Sequence, residues 1–153
     1  MVMDLLNTIL NDLQKAIKIE DLHTDKNESC QIRFENGLEV QLELDPSGEF
    51  LCVGTRLGEA PGGRYRQTLF KEALKANGMP PPRYGTFAYS QKTNSLIFFE
   101  YLWAKDLNGE KLAAFLVHFK QKAQLWKEAI ARGDVPQLGE TSSRGRPTGM
   151  FGL

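Results

Sequence analysis

The stretch that decides the fold is RLGEAPGGRYRQTLFKEALKANGMPPP, residues 56–82. In it a loop of small residues leads into a short helical pattern, which ends at Asn77 and Gly78 before three consecutive prolines. Glycine-rich loops before helices can bind phosphate. This loop, however, lacks the Gly-Lys-Ser/Thr sequence of a Walker loop and does not open a βαβ unit. We therefore interpret the Pro-Gly-Gly of 61–63 as a turn that redirects the chain, and not as a nucleotide site.

The residues before this stretch alternate between apolar and polar side chains. From 30 to 44 the alternation predicts two antiparallel strands joined at 35–37. A three-residue loop pairs Ile32 with Val40 and keeps the apolar side chains on one face, whereas a two-residue Asn-Gly turn would put them on opposite faces. Gly37 supplies the left-handed conformation that the longer loop needs. We therefore predict a hairpin with one apolar face.

A third strand follows the turn sequence DPSG at 45–48. A four-residue loop would pair Leu44 with Glu49. In that register Phe50 and Cys52 lie on the second face, among polar side chains. The first three strands are therefore expected to have one fully apolar face and one polar face with apolar islands.

The second half of the chain predicts another hairpin, across QKTN at 91–94, which pairs Ser90 with Ser95. Its second strand, SLIFFEYLW, is apolar on both faces, so we expect a layer or a partner over part of the second face. Helical spacing of apolar residues predicts a first helix over 4–18 and a last helix over about 108–132. The element order α-β-β-β-α-β-β-α predicts an α+β fold, a two-layer α/β sandwich with its helices on one side of an antiparallel sheet.

Composition excludes several classes of function. The 153 residues suit one domain, and 19 basic residues balance 19 acidic ones, which gives no electrostatic support for nucleic-acid binding. We see no apolar run of membrane-spanning length and no cleavable signal peptide. The two cysteines, Cys30 and Cys52, lie in strand patterns and are interpreted as reduced residues, so we expect a cytosolic protein without membrane insertion. His23 and His118 have no ligand-spaced partners and no nucleophile motif beside them. No metal, cofactor or enzymatic activity is therefore expected.

The chain divides by composition into a folded part, residues 1–133, and a tail, residues 134–153. The tail sequence DVPQLGETSSRGRPTGMFGL is rich in Gly, Ser, Thr and Pro, a composition typical of disorder. We expect a single domain followed by a flexible segment.

The order of elements, together with particular residues, resembles the Tir-chaperone (CesT) family of class I type III secretion chaperones over about residues 3–132. The likeness depends on LELDPSGEFLCVGTRLGEAP leading into RQTLFKEALKANG, then a short hairpin, then LNGEKLAAFLVHFKQKAQLWKEAI. In the family a strand ends in a Leu-Gly-x-x-Pro-like loop, the next helix ends in Leu-x-x-Asn, and the C-terminal helix carries a Trp. The matching residues here are Leu57, Gly58, Pro61, Leu74, Asn77 and Trp126. The chain is most similar to the branch that serves the secretion gatekeeper protein, although its balanced charge and its tail differ from the family pattern.

This resemblance implies a five-stranded sheet of order 1-2-3-5-4 in a small dimer without enzymatic activity, located in the bacterial cytoplasm. Such a chaperone binds the N-terminal chaperone-binding segment of a secreted effector or gatekeeper in extended form. It keeps that protein soluble and secretion-competent and delivers it to the secretion apparatus. The second helix and the edge strand after it would form the seam of a homodimer, or of a heterodimer with a second chaperone.

Unpaired strand edges and exposed apolar islands invite added polypeptide segments. The residues that we expect to contact the effector, on the first helix, the first edge strand and the half-polar face, are Leu5, Ile9, Ile32, Phe34, Phe50 and Cys52. Ile9 and Ile32 fit a core position equally well, whereas the predicted register exposes Leu5 and Phe50. The residues that we expect at the dimer interface are Leu69, Phe70, Leu74, Phe87 and Tyr89.

Two other classes of function remain open at this point. A small enzyme or ligand-binding α+β domain would use an aromatic pocket near Tyr84, Tyr101 and Trp103. A nucleic-acid binder would use the tail and the last helix, and its binding would fall steeply as salt rises. Co-expression with proteins encoded beside the gene discriminates among the three, because only a chaperone would solubilise an N-terminal fragment of its client.

Overall fold

A computed structural model of the chain describes residues 2–16, 21–24 and 29–136, with side chains described at 8–15 and 29–136. Within these ranges the chain forms three α-helices and six strands, and a single 3-10 turn follows the last strand. The elements in chain order are α1 (Val2–Ala16), β1 (Asp21–Thr24), β2 (Ser29–Arg33), β3 (Glu39–Leu44), β4 (Phe50–Glu59), α2 (Arg64–Asn77), β5 (Thr86–Ser90), β6 (Ser95–Trp103), the 3-10 turn Ala104–Asp106, and α3 (Gly109–Arg132). None of the described helices is long and apolar enough to cross a membrane.

The strands form one antiparallel sheet in the order β1-β2-β3-β4-β6-β5. The five predicted strands are β2 to β6, and their predicted α+β arrangement and order 1-2-3-5-4 are confirmed. The additional strand, β1, pairs with β2, so the prediction that Ile32 and Phe34 belong to an edge strand is wrong. Four residues are too few for a two-residue periodicity to stand out, which is why the sequence pattern missed β1.

The predicted register is confirmed in both flanking hairpins. Ile32 pairs with Val40 across a loop in which Gly37 has a φ of 87°, and Ser90 pairs with Ser95. Since side chains alternate with a period of two, these registers put the predicted apolar residues of each hairpin on a common face.

The register between β3 and β4 differs from the prediction by two residues. Leu44 pairs with Leu51 and not with Glu49. The cause is Asp45, whose backbone N–H donates to the Phe50 carbonyl at 2.9 Å and whose carboxylate accepts from the Phe50 N–H at 3.2 Å. These bonds pair Asp45 with Phe50 and move the loop to residues 46–49. A shift of two preserves the face of every side chain, so Phe50 and Cys52 keep their predicted face.

The core lies between the sheet and the helices α1 and α3. Ile9 and Leu13 of α1, and Phe119 and Trp126 of α3, are at most 2% exposed. The rings of Phe87, Phe98, Phe119 and Trp126 form a continuous stack, with neighbouring centroids 4.3–4.9 Å apart. One face of the sheet is thereby buried by helices.

The ends of α2 and α3 lie where the sequence places them. The Asn108 side chain caps α3 by accepting a hydrogen bond from the Lys111 N–H at 2.8 Å, and Gly133 ends the helix with a φ of 77°. The α2 helix stops at Asn77, where Gly78 donates its N–H back to the last turn. These ends orient α2 toward β5 and bring the end of α3 to the C-terminal end of β4.

Candidate functional site

Aromatic side chains line the face of the sheet that lies opposite the helices. Phe50 pairs with Trp103, Cys52 with Tyr101, and Gly54 with Phe99 along the β4–β6 ladder. Cross-strand pairs of this kind pack together, and the ring centroids of Phe50 and Trp103 are 4.3 Å apart. Tyr101 is nonetheless 54% exposed and Trp103 is 50% exposed. We call the set Phe50, Cys52, Phe99, Tyr101 and Trp103 the aromatic face.

An open cleft of about 940 Å³ is lined by Cys52, Phe99 and Tyr101 of this face, while Phe50 and Trp103 lie outside its lining. Gln31 and Gln41 border it on the β2–β3 side, and Lys127 of α3 borders it at the far end beside Gly58. The β4 strand bulges between Arg56 and Gly58, and bulges bend and twist a strand. Glycine is required at 58 because its φ is 149° and because a Cβ there would lie 2.8 Å from Ile130 Cγ2.

The charges around the cleft lie mainly at its rim. Arg33 and Glu39 form an exposed ion pair at 3.2 Å, and Gln31 donates to the same carboxylate at 2.9 Å. The Arg56 Nε–H donates to Ser95 Oγ at 2.6 Å. This leaves an apolar centre with a polar border, the distribution found where polypeptide segments bind.

The Cys52 thiol at the centre of the aromatic face is held in its neutral form. Burial is the main cause that raises the pKa of Cys52 above the ordinary value of a thiol, and the negative charges of Glu43 and Glu100 add to it. The pKa of Tyr101 is also raised, first by the neighbouring Cys52 and then by burial and the carboxylates Asp45 and Glu43. Both groups are therefore uncharged near neutral pH and can act as apolar contacts.

A second apolar surface lies where α2 meets the edge strand β5. We call Phe70, Leu74 and Tyr89 the α2–β5 patch; Leu74 is 69% exposed, and the rings of Phe70 and Tyr89 are 5.3 Å apart. The patch surrounds a depression of about 130 Å³. Asn77 closes one end of the depression by bonding to the backbone of Phe87.

The structure separates the residues predicted to bind an effector. Ile9, Ile32 and Phe34 are at most 2% exposed and belong to the core, so a client could reach them only if the helices moved. Phe50 and Cys52 are half-buried on the aromatic face. The side chain of Leu5 lies outside the described residues. Roles of these residues in effector binding stay predictions.

The residues predicted at the dimer interface divide in the same way. Leu69 and Phe87 are buried within the subunit. Phe70, Leu74 and Tyr89 form the α2–β5 patch and are accessible to a partner. Contact with a second subunit stays a prediction for all five.

The residues predicted to bind an effector did not include Tyr101 and Trp103. Together with Tyr84 they were the basis of the alternative aromatic pocket, but Tyr84 stacks on His118 of α3, with ring centroids 4.3 Å apart. Tyr84 thus lies on the helix side of the sheet while Tyr101 and Trp103 lie on the other, and the expected pocket does not form. The sequence signal that could have identified this second surface was the presence of apolar residues on both faces of β6.

Among the described residues, no three His, Cys, Asp or Glu side chains cluster as ligands of a metal would.

A family model decides what kind of chain this is. The model of the Tir chaperone protein (CesT) family matches residues 8–127, more than half of the chain. The chain belongs to this family. No curated protein sequence matches the chain significantly.

Several solved structures have the same fold as this chain. A chain in the HopA1-SchA chaperone-effector complex aligns with a TM-score of 0.65 and 18% identity, covering 83% of this chain and 96% of that one. A chain in the complex of the Yersinia pestis type III secretion chaperone SycH with a stable fragment of YscM2 gives a TM-score of 0.60 and 18% identity, covering 82% of this chain and 99% of that one. A chain in the ExsC-ExsE complex gives a TM-score of 0.60 and 15% identity, covering 84% of this chain and 94% of that one. At these identities the likeness establishes the α+β fold.

Proposed function

We propose that the protein is a type III secretion chaperone that binds the N-terminal segment of a secreted effector or gatekeeper in extended form. The chaperone keeps this client soluble and delivers it to the secretion apparatus. The observation that carries the proposal is the aromatic face, a row of half-exposed aromatic side chains on the sheet of a CesT family member. Exposed apolar surface of this kind marks interaction sites in soluble proteins.

The geometry of the aromatic face suits an extended client. Successive cross-strand pairs from Gly54–Phe99 to Phe50–Trp103 present apolar contacts at regular intervals along the strands. A peptide in β conformation places alternate side chains toward one surface, so it can match this spacing. The polar border formed by Gln31, Gln41 and the Arg33–Glu39 pair can hydrogen-bond the other side of the client.

Dimerisation through the α2–β5 patch is part of the proposal. Leu74 is the most exposed large apolar side chain among the described residues, and a stable interface usually buries about 800 Å² on each partner. A symmetric contact would bury Leu74 against the same patch of a second copy, or against a related chaperone in a heterodimer. The working location of such a dimer is the bacterial cytoplasm, with residues 1–133 as the chaperone domain and 134–153 as its tail.

Co-expression with N-terminal fragments of the proteins encoded beside the gene tests client binding. A soluble complex with an otherwise insoluble fragment supports the proposal. The variant Tyr101→Ser should weaken capture of that fragment, whereas Val117→Ser, which alters an exposed apolar residue on α3, should not. Capture that is equal in wild type and in both variants would place the client elsewhere, and no complex with any neighbouring protein would contradict the function itself.

Sedimentation velocity tests the dimer separately. We expect the wild type to sediment as a dimer and Leu74→Ser to shift it toward monomer. Leu125→Ser is the matched control, because Leu125 is 55% exposed on α3, away from the α2–β5 patch. A wild type that sediments as a monomer would remove the dimer from the proposal.

A further inference from the structure

The C-terminal part of α3 lies beside one end of the cleft that Cys52, Phe99 and Tyr101 of the aromatic face line. Lys127 borders the cleft, and Ile130 packs against Gly58, which borders the same end. After Gly133 the chain is held there by the Tyr65 hydroxyl, which donates to the Asp134 carbonyl at 2.9 Å. Val135 still packs against the core. The described part of the chain therefore ends, at Pro136, six residues after the Ile130 that packs against the Gly58 end of β4.

The segment 137–153 is long enough to follow β4 from Gly58 to Phe50. From Gly58 to Phe50 the β4 strand advances eight residues, a distance of about 27 Å at 3.4 Å per residue. The 14 residues 137–150 would span about 21 Å root-mean-square if they followed the statistics of a Gly/Ser-rich linker. Their fully extended limit is about 46 Å. Met150 and Phe151 can thus reach the Phe50–Trp103 end of the aromatic face without complete extension.

The chemistry of the segment also matches that end of the sheet. Residues 150–153 read Met-Phe-Gly-Leu, and thioether and aromatic side chains pack well against exposed aromatic rings. Arg144 and Arg146 precede them, with Glu140 as the one acidic residue of 137–153. Glu43 and Asp45 lie close enough to Tyr101 for their negative charges to raise its pKa. Two arginines are suited to such a site.

We propose that residues 137–153 dock on the aromatic face of their own chain, with Met150 and Phe151 packed against Tyr101 and Trp103, and that a client must displace them. The docking depends on this chain alone, whereas its regulatory meaning rests on the proposed function. A short tether supplies an effective concentration of about 1 mM, so an intrinsic Kd of about 0.1 mM already keeps the segment docked about 90% of the time. A contact that weak covers the apolar surface and still yields to a tighter client.

Fluorescence of the full-length chain tests the docking without any client. Trp103 is half exposed on the aromatic face, while Trp126 is 1% exposed in the core and supplies a constant background. In the double variant Met150→Ser/Phe151→Ser we expect stronger acrylamide quenching and a red shift of the emission relative to wild type. Thr141→Ala, a change in the same segment that removes no apolar contact, should leave both unchanged.

A synthetic peptide of residues 137–153 gives the second measurement. It should bind the double variant about tenfold more tightly than the wild type, whose own segment competes at the effective concentration above. Adding Tyr101→Ser to the double variant should abolish peptide binding, and adding Leu125→Ser should not.

Three results would overturn the proposal. The first is equal quenching and equal peptide affinity in wild type and double variant. The second is protection of Trp103 that disappears on hundredfold dilution, which would show that a second copy covers the face. The third is peptide binding that is lost with Leu74→Ser but kept with Tyr101→Ser, which would place the segment on the α2–β5 patch. None of these results depends on client capture, so failure here and failure of the chaperone function are distinguishable.

Discussion

Asn77 joins the end of α2 to the edge strand β5 through a pair of hydrogen bonds. Its side-chain Nδ2–H donates to the Phe87 carbonyl at 3.0 Å, and its Oδ1 accepts from the Phe87 N–H at 2.8 Å. The carboxamide thus forms the two hydrogen bonds that a neighbouring strand would form with the Phe87 backbone. It therefore prevents another chain from pairing with this position of the sheet edge. These bonds give the Asn at the end of α2 a structural role.

The substitution Asn77→Ala removes both bonds and leaves the two Phe87 groups without this partner. At about 0.5–1.5 kcal/mol net per hydrogen bond, the free energy of unfolding should fall by roughly 1–3 kcal/mol. With a urea m-value of about 2 kcal/mol/M, the midpoint falls by about 0.5–1.5 M. The measurement is urea denaturation at one fixed protein concentration, because dimerisation would make stability concentration-dependent. Gln67→Ala, at an exposed position of the same helix, is the control and should change stability by less than about 0.5 kcal/mol.

Asn77→Asp tests the same geometry with a pH dependence. One oxygen of the new carboxylate would still accept from the Phe87 N–H, but the other would face the Phe87 carbonyl, to which only a protonated carboxyl can donate. Folding therefore raises the pKa of this carboxyl above its unfolded value of about 3.9. The bond to the carbonyl stabilises the variant below that value and is lost as the pH rises through the folded pKa. Relative to wild type, the variant should be less impaired at pH 4 than at pH 7. An Asn77→Ala effect below about 0.5 kcal/mol, or an Asn77→Asp penalty that is the same at both pH values, would refute the reasoning.

Three further predictions concern single positions. Gly109→Ala should destabilise the protein by about 1–3 kcal/mol in thermal or urea denaturation, because the new Cβ would overlap Asp12 of α1 and lie 2.7 Å from the Leu13 nitrogen. Gly62→Ala is the control and should be close to neutral, because a Cβ there meets nothing within 4 Å. Arg66→Lys should lower the free energy of unfolding by about 1 kcal/mol in the same assay. The guanidinium donates to the Ala60 carbonyl at 2.6 and 3.0 Å and to Asn94 Oδ1 at 2.7 Å, and one ammonium cannot reproduce all of these bonds. Arg64→Lys, at an exposed position, is the control. Cys52 should react with iodoacetamide more slowly at pH 8 than a free thiol does and accelerate as pH rises, since burial raises its pKa and only the thiolate reacts; a rate at pH 8 equal to that of a model thiol would contradict this.

Much of the fold followed from periodicity, and the errors have specific causes. The alternation in β2, β3 and β6 predicted which side chains share a face, because the period of two admits only two choices per strand. The register of β3 on β4 was wrong by two residues because Asp45 bonds to Phe50, a side-chain contact that the turn sequence does not specify. The strand β1 was missed because four residues carry too little pattern.

The candidate site was harder to predict than the fold. Phe50 and Cys52 were placed on the correct face, but Tyr101 and Trp103 were grouped with Tyr84, which lies on the opposite side of the sheet. Nothing in the sequence relates a position in the loop before β5 to the face of a distant strand. Leu69 and Phe87 were expected at an interface because both are apolar and close to an edge, yet packing within the subunit buries them.

The sequence by itself determined the order of the three helices and of the five strands β2 to β6, the ends of α2 and α3, and which residues of these five strands share a face. These properties depend on neighbours within a few positions, where glycine, proline, caps and the alternation of side chains act. Only the tertiary structure decided which apolar residues stay accessible. Exposure depends on where α1 and α3 pack: Trp126 and Phe119 cover Phe87 and Phe98 on one side of the sheet, while Tyr101 and Trp103 on the other side remain half exposed. That difference follows from long-range packing of helices on a single face, which leaves these side chains on the second face accessible.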